Sequence, residues 1–504
     1  MISSTHPVID RANPVIIQGG MGIGVSAWPL ARAVALTGQM GVVSGTALDV
    51  VLSRRLQLGD PGGHVRRALA EFPLPSIADR IVEGHYVAGG KSVDRPFRTM
   101  PMLTNRPTQE QLELLVVANF VEVMLAKEGH EGLVGINYLE KVQIPTLPSL
   151  YGAMLAGVDY VLMGAGIPTT IPGVLDRLSE GEVVELPLRI TGTKNGEKIC
   201  IRFDPAEFAK GYTPWLPRPK FLPIIASSTL AQMLVRKSNG RVDGFIVEGH
   251  TAGGHNAPPR GKTQLNDMGE PLYGKRDVVD PAVMCALGLP FWLAGSCGSP
   301  EQLCAAHAVG AAGVQVGTAF AFCEESGIST AIKERVVQGS RTGQLNVFTD
   351  PLASPTGFPF KVLEMKDTLS EAGGYEGRLR VCDMGFLREG YHREDGSVGW
   401  RCPAESVASY VQKGGQEEDT VGRKCICNGL MATIGLEQVR SDGRHEQPLV
   451  TSGNDVNSIR FYLKNDQATS YTASEVIECL LAKSQERPEL GVQSPESEET
   501  GIQG

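Results

Sequence analysis

Between residues 15 and 337, short apolar runs ending beside glycine, serine or threonine alternate with segments of helical periodicity. The runs fall at residues 15–18, 41–44, 133–138, 159–163, 222–226, 243–248, 290–294 and 313–317. Helix-like segments follow at 28–36, 147–156, 229–237, 281–287, 301–309 and 329–337. Runs this short and this apolar read as strands buried on both faces, the habit of parallel sheets. Eight such strands with helices between them match the arithmetic of an α/β, TIM-type (β/α)8 barrel. A doubly wound open sheet shows the same alternation, and pattern alone does not separate the two.

Two stretches break the rhythm and read as insertions. Residues 47–132 are long enough for helices of their own, 109–127 being the clearest. Residues 180–220 alternate apolar and polar around Lys194, Asn195 and Gly196, a hairpin with Asn-Gly as its turn. We therefore expect the barrel to occupy residues 1–345, with a C-terminal accessory region over 346–485. The Glu-, Ser-, Pro- and Gly-rich stretch 486–504 is expected to be disordered.

Composition narrows the class of function. There are 47 Lys and Arg against 56 Asp and Glu, a formal net charge of −9, which argues against a nucleic-acid or anionic-membrane partner. No run reaches the ~18 apolar residues of a membrane helix, and the first residues do not read as a signal peptide. With ten cysteines and no export signal, the expectation is a cytoplasmic protein with reduced thiols. Glycine is in excess, 60 of 504 residues against a usual ~7%, and it clusters where strands end.

In a barrel, chemistry gathers at the C-terminal ends of the strands. The sharpest such segment is DGFIVEGHTAGGH, residues 243–255: an apolar run into Glu248, then Gly253, Gly254 and His255. Adjacent glycines let backbone approach a planar ligand, and the histidine beyond them is placed to act as a base. His250 is the rival base. PFWLAGSCG (290–298) and GVQVGT (313–318) each end a run with small residues before a helix start. In the last two strand positions they make a phosphate cradle from backbone N–H groups and helix dipoles. Gly295, Ser296 and Gly298 fall in one loop; Gln315, Val316, Gly317 and Thr318 form the other. The first run ends in Gly19, Gly20 and Met21, with glycine spacing that does not fit a dinucleotide fingerprint.

Together, QGGM after the first run, Asn137 in the third, the AGGH loop, and the two phosphate turns resemble the nitronate monooxygenase (2-nitropropane dioxygenase-like) family. The same barrel occurs in FMN-dependent enoyl-acyl-carrier-protein reductases. The resemblance covers roughly residues 10–345 and implies noncovalent FMN, with His255 catalytic. It implies flavin contacts at Gly19, Gly20, Met21, Asn137, Glu248, Gly253 and Gly254. Two positions depart from the family pattern: Thr251 stands where Glu is common, and Ala319 where Arg is common. The implied activity is oxidation of alkyl nitronates with dioxygen to carbonyl compounds and nitrite, with a homo-oligomer as the expected assembly. The alternative is an enoyl reductase acting on an acyl carrier protein with NAD(P)H. A third reading, of another class, is a flavin-bound interaction subunit of a synthase complex.

The accessory region adds one more expectation. Cys382, Cys402, Cys425 and Cys427 lie close in sequence and in loop-like surroundings, so they are candidate ligands for a structural zinc. Buried free thiols are the alternative.

Overall fold

The protein is described by a computed structural model covering residues 13–193 and 198–482. The apolar runs become eight parallel strands: β1 (Ile16–Gln18), β2 (Gly41–Ser44), β3 (Val134–Leu139), β4 (Tyr160–Gly164), β5 (Lys220–Ile225), β6 (Phe245–Glu248), β7 (Phe291–Ala294) and β8 (Gly313–Val316). Their order around the sheet is β1-β8-β7-β6-β5-β4-β3-β2. The two end strands also meet. Gln18 N donates to Met40 O at 2.9 Å, Met40 N donates to Ile16 O at 3.1 Å, and Ile17 bridges Met40 in parallel. That contact closes a barrel and excludes the open sheet.

Ile17, Met40, Val42, Leu162, Leu222, Ile246 and Trp292 are fully buried and pack together inside the barrel. The lumen is therefore packed rather than hollow, as its bulky residues require. The Trp292 indole N–H finds its acceptor in Pro14 O at 2.7 Å. Ser299 caps the helix Pro300–Ala308, with proline in its first turn.

The first insertion is helical, as expected. Its longest helix, Gln109–Lys127, starts at a Thr108/Gln111 capping box. It packs against Trp28–Leu36 and Thr146–Leu155, and so serves the barrel as an outer helix. The second insertion pairs Val184–Pro187 with Cys200–Phe203 in antiparallel register. Its Asn195–Gly196 turn lies outside the described residues, as does the stretch 486–504. One strand was not anticipated: Ile190–Thr191 leaves the hairpin and pairs with Glu389–His392.

Beyond residue 346 the chain folds back over the barrel. Val347–Asp350 pairs with Phe360–Leu363, and Glu389–His392 with Val398–Arg401. Phe360, Phe386, Ile426 and Leu430 join Ile23, Val50, Phe97 and Val142 in one apolar cluster at the barrel mouth. Further on, Val456–Tyr462 and Ala473–Leu481 pack against outer helices. The accessory region also holds a helix, Ile426–Thr433. It is buried along its whole length, so its apolar residues show no one-sided periodicity in the sequence.

That helix also bears on the zinc expectation. Cys425 caps it, Cys427 sits in its first turn, and both are buried with Cys402 in the apolar cluster. Among the described residues no group of three or more His, Cys, Asp or Glu side chains is arranged to hold a metal ion. Burial raises the Cys425 and Cys427 thiols above the usual range, which favours the protonated form. Among the described residues no helix is long and apolar enough to cross a membrane.

Candidate active site

The strand ends surround a cavity of about 450 Å³. Gly19, Gly20, Met21, Asn137, Glu248, Gly253, Gly254, His255, Gly295, Ser296, Gln315, Val316, Gly317 and Thr318 all line it. The structure thus brings together residues spread over three hundred positions. Gly298 is the exception: its carbonyl accepts from the Tyr462 hydroxyl instead. His250 also lines the cavity, but its ring is stacked on Tyr273 at 4.6 Å.

The loop after β1 is folded onto itself. Ser26 Oγ accepts from Met21 N and donates to Gly19 O, both at 2.8 Å. Gly20 has to be glycine, because a Cβ there would stand 2.3 Å from the Asn137 Cβ. The close approach lets Asn137 Nδ2 donate to Gly20 O at 3.0 Å. Asn137 Oδ1 is left buried with no partner.

His255 is held from outside the barrel. Its backbone bridges Phe360, its ring meets the Phe360 ring edge-on at 4.9 Å, and its Nε2 lies 2.7 Å from Ser354 Oγ. Ser354 Oγ lies in turn 2.8 Å from Thr356 Oγ1. Withdrawal from bulk water, helped by the charge of Lys141, pulls the imidazole pKa down to about 4. The ring is therefore neutral at physiological pH. Gly254 N donates to Thr451 Oγ1 at 2.9 Å, and a Cβ on Gly253 would meet the Ser452 backbone at 2.9 Å. The AGGH loop is clamped by segments 354–360 and 451–452. Neither segment carries a motif, and each lies about a hundred residues or more along the chain, so sequence reading missed both.

Among the described residues Glu248 has no hydrogen bond or ion pair to oppose its desolvation, which pushes its pKa up to about 8. At neutral pH it is a carboxylic acid able to donate, as an amide would.

At the expected phosphate cradle, Gly295 takes φ +101° and Ser296 φ +53°, which turns the loop sharply. Ser296 Oγ, Gln315 Oε1 and, from the C-terminal segment, Ser452 Oγ are buried without partners. A Cβ on Gly317 would extend into open space, its nearest neighbour being Met21 Sδ at 3.8 Å. The Thr318 hydroxyl is committed: it donates to Asp455 Oδ1 at 2.7 Å and accepts from Gly453 N at 3.1 Å. Burial raises the Asp455 carboxyl above its usual range, which lessens the negative charge it would set beside a phosphate.

Orphaned polar atoms on four separate segments, around an open glycine floor, fit a large planar ligand carrying one anionic arm. FMN has that form. Gly317→Val should fill the floor and raise the FMN dissociation constant about tenfold or more, roughly 1.4 kcal/mol. Flavin fluorescence titration of the flavin-free protein measures it; an unchanged constant would place the ligand elsewhere.

A family model described as nitronate monooxygenase matches residues 218–349, which carry the AGGH loop and both phosphate turns. Over that stretch the chain is similar to the nitronate monooxygenase family. A probable nitronate monooxygenase of Staphylococcus haemolyticus is 30% identical over 120 residues, 24% of this chain and 32% of that protein. One from Bacillus subtilis is 32% identical over 114 residues, 23% and 31% of the two chains. The chain thus matches about a third of the length of these curated relatives. Among solved structures, FabK from Thermotoga maritima is similar with TM-score 0.48 and 17% identity, covering 93% of this chain and 92% of that one. A nitroalkane oxidase from Streptomyces ansochromogenes gives 0.40 and 16%, covering 93% and 94%.

Proposed function

We propose that the protein is an FMN-dependent reductase that acts on the double bond of an enoyl thioester, using NAD(P)H. The observation that carries this reading is the roof. Phe358, Phe360, Phe386, Leu387, Ile426 and Leu430, all from the C-terminal region, line the cavity above the strand ends. An apolar roof of this extent desolvates an acyl chain, whereas a nitronate of a few carbons has little surface to set against it.

FMN, when bound, supplies the two-electron relay between nicotinamide and substrate. The chain's own groups do the rest. Asn137 and protonated Glu248 offer hydrogen bonds at the cavity wall. Neutral His255, oriented by Ser354, presents its ring where a substrate proton is exchanged. The roof keeps water from the reacting carbon.

Nitronate oxidation at the same site is the second reading. The family match at residues 218–349 and the curated relatives favour it. Anaerobic flavin bleaching with NADH, NADPH and alkyl nitronates, run in parallel, separates the two. Bleaching by NAD(P)H, with colour restored by an enoyl thioester, is expected. Bleaching by nitronates alone, with nitrite formed on admitting air, would move the assignment to the monooxygenase.

A further inference from the structure

A second cavity, of about 430 Å³, lies beside the first, and Phe386 and Leu387 line both. Its walls come from the loop after β3, from the 180–220 insertion, and from C-terminal segments near 355 and 384–390. Its character differs from that of its neighbour, because three cations stand in it: Lys141, Arg189 and Arg388.

The charges are not balanced. Arg189 is paired with Glu140 at 2.7 Å. Glu389, the carboxylate among the lining residues, is paired with Arg401 at 2.7 Å. Lys141 and Arg388 make no ion pair among the described residues, although both are half-buried. The Lys141 ammonium sits 4.8 Å from the Phe358 ring centre and the Arg388 guanidinium 5.8 Å from that of Trp400. Arg388 Nε donates to the Gly385 carbonyl and one of its terminal nitrogens to that of Leu103. Lys141 is held down in pKa first by burial and then by the like charge of Arg189. The Trp400 indole N–H is buried without a partner.

Cations brought together out of water repel one another, and Lys141 and Arg388 give up hydration that no carboxylate replaces. An anion entering the cavity would relieve both costs. Arginine and lysine side by side, with an indole donor, suit the tetrahedral oxygens of phosphate. Continuity through Phe386 and Leu387 connects such an anion to the flavin pocket.

We infer that this cavity binds the phosphate-bearing arm of a substrate whose reactive end enters the first cavity. Two molecules share that chemistry: a nicotinamide dinucleotide, and the pantetheine phosphate of an acyl thioester. The inference rests on the reductase reading for its purpose, but binding is measured without turnover, so the two can fail separately.

The test is calorimetric titration of the full-length flavoprotein with inorganic pyrophosphate, NADP+ and coenzyme A, with adenosine and pantetheine as phosphate-free controls. At least one phosphate compound is expected to bind, with its Kd raised about tenfold or more by Arg189→Gln and by Lys141→Met, and raised again by salt. Sensitivity confined to NADP+ assigns the nicotinamide arm; sensitivity confined to coenzyme A assigns the thioester arm. Melting temperature and flavin content show that each variant is folded, and either variant alone suffices. Failure of all three phosphate compounds to bind the unaltered protein at millimolar concentration overturns the inference. So does an unchanged Kd in a folded variant, or equal binding of the phosphate-free controls. Phosphate binding in a protein whose flavin NAD(P)H does not bleach would sink the reductase reading while leaving this site in place.

Discussion

His255→Ala is expected to lower turnover about 10²–10⁴-fold, the usual worth of a positioned proton-transfer group, while the protein stays yellow. The flavin is retained because the atoms assigned to its phosphate belong to β8, to the loops after β7 and β8 and to Ser452, not to the AGGH loop. If nitroalkanes are substrates, the loss should be larger for the neutral compounds than for nitronates already deprotonated. Because the imidazole pKa lies near 4, the pH profile should show no limb from this residue between about pH 5 and 8. Ser354→Ala removes the partner of Nε2 and should cost less than removing the ring, with KM little changed. His250→Ala is the control. Equal or greater damage there, with His255→Ala still active, would transfer the role to His250.

Glu248→Gln is expected to stabilise the flavin-free protein at neutral pH. The folded carboxyl has a pKa raised from 4.5 to about 8. Below pH 4.5 both folded and unfolded states hold the proton, and the residue contributes no pH dependence. Between 4.5 and 8 the folded state keeps a proton that the unfolded chain has released, so stability falls as pH rises. Above 8 both states are ionised and the penalty is complete. At pH 7 the gap spans about 2.5 units, so the isosteric amide should gain up to about 3 kcal/mol. Urea unfolding of both proteins at pH 5 and pH 8 reads this directly. A difference between them that does not widen with pH would mean that Glu248 is already ionised in the fold.

The barrel was legible because its strands repeat, each short apolar run meeting small residues where the backbone must turn towards a ligand. The floor of the site was legible for the same reason, since glycines at Gly20 and Gly317 leave a visible trace where a Cβ would collide or obstruct. Gly298 was misread because a glycine that turns a loop and a glycine that binds a ligand look alike in sequence; only Tyr462 tells them apart. The roof was not legible. Ser354, Phe360 and Ser452 reach the site through tertiary packing, with no periodicity or spacing that links them to His255. Nearness in sequence did bring the Cys382 and Cys402 thiols within hydrogen-bond reach, yet among the described residues no group of three or more ligands is arranged to hold a metal ion.

The clamp on the AGGH loop also sets an order of events during synthesis. Everything that builds the barrel wall has left the ribosome by about residue 342, where the helix Thr330–Thr342 ends. Thr451, Ser452 and Asp455, which fasten Gly254 and Thr318, arrive more than a hundred residues later. At roughly 5–20 residues per second, that interval is on the order of ten seconds. For that time a nascent chain carries a barrel whose AGGH loop and Thr318 lack their partners from the last segment. Flavin capture before the last segment arrives, or only after it, is thus a question of timing on the ribosome as much as of affinity.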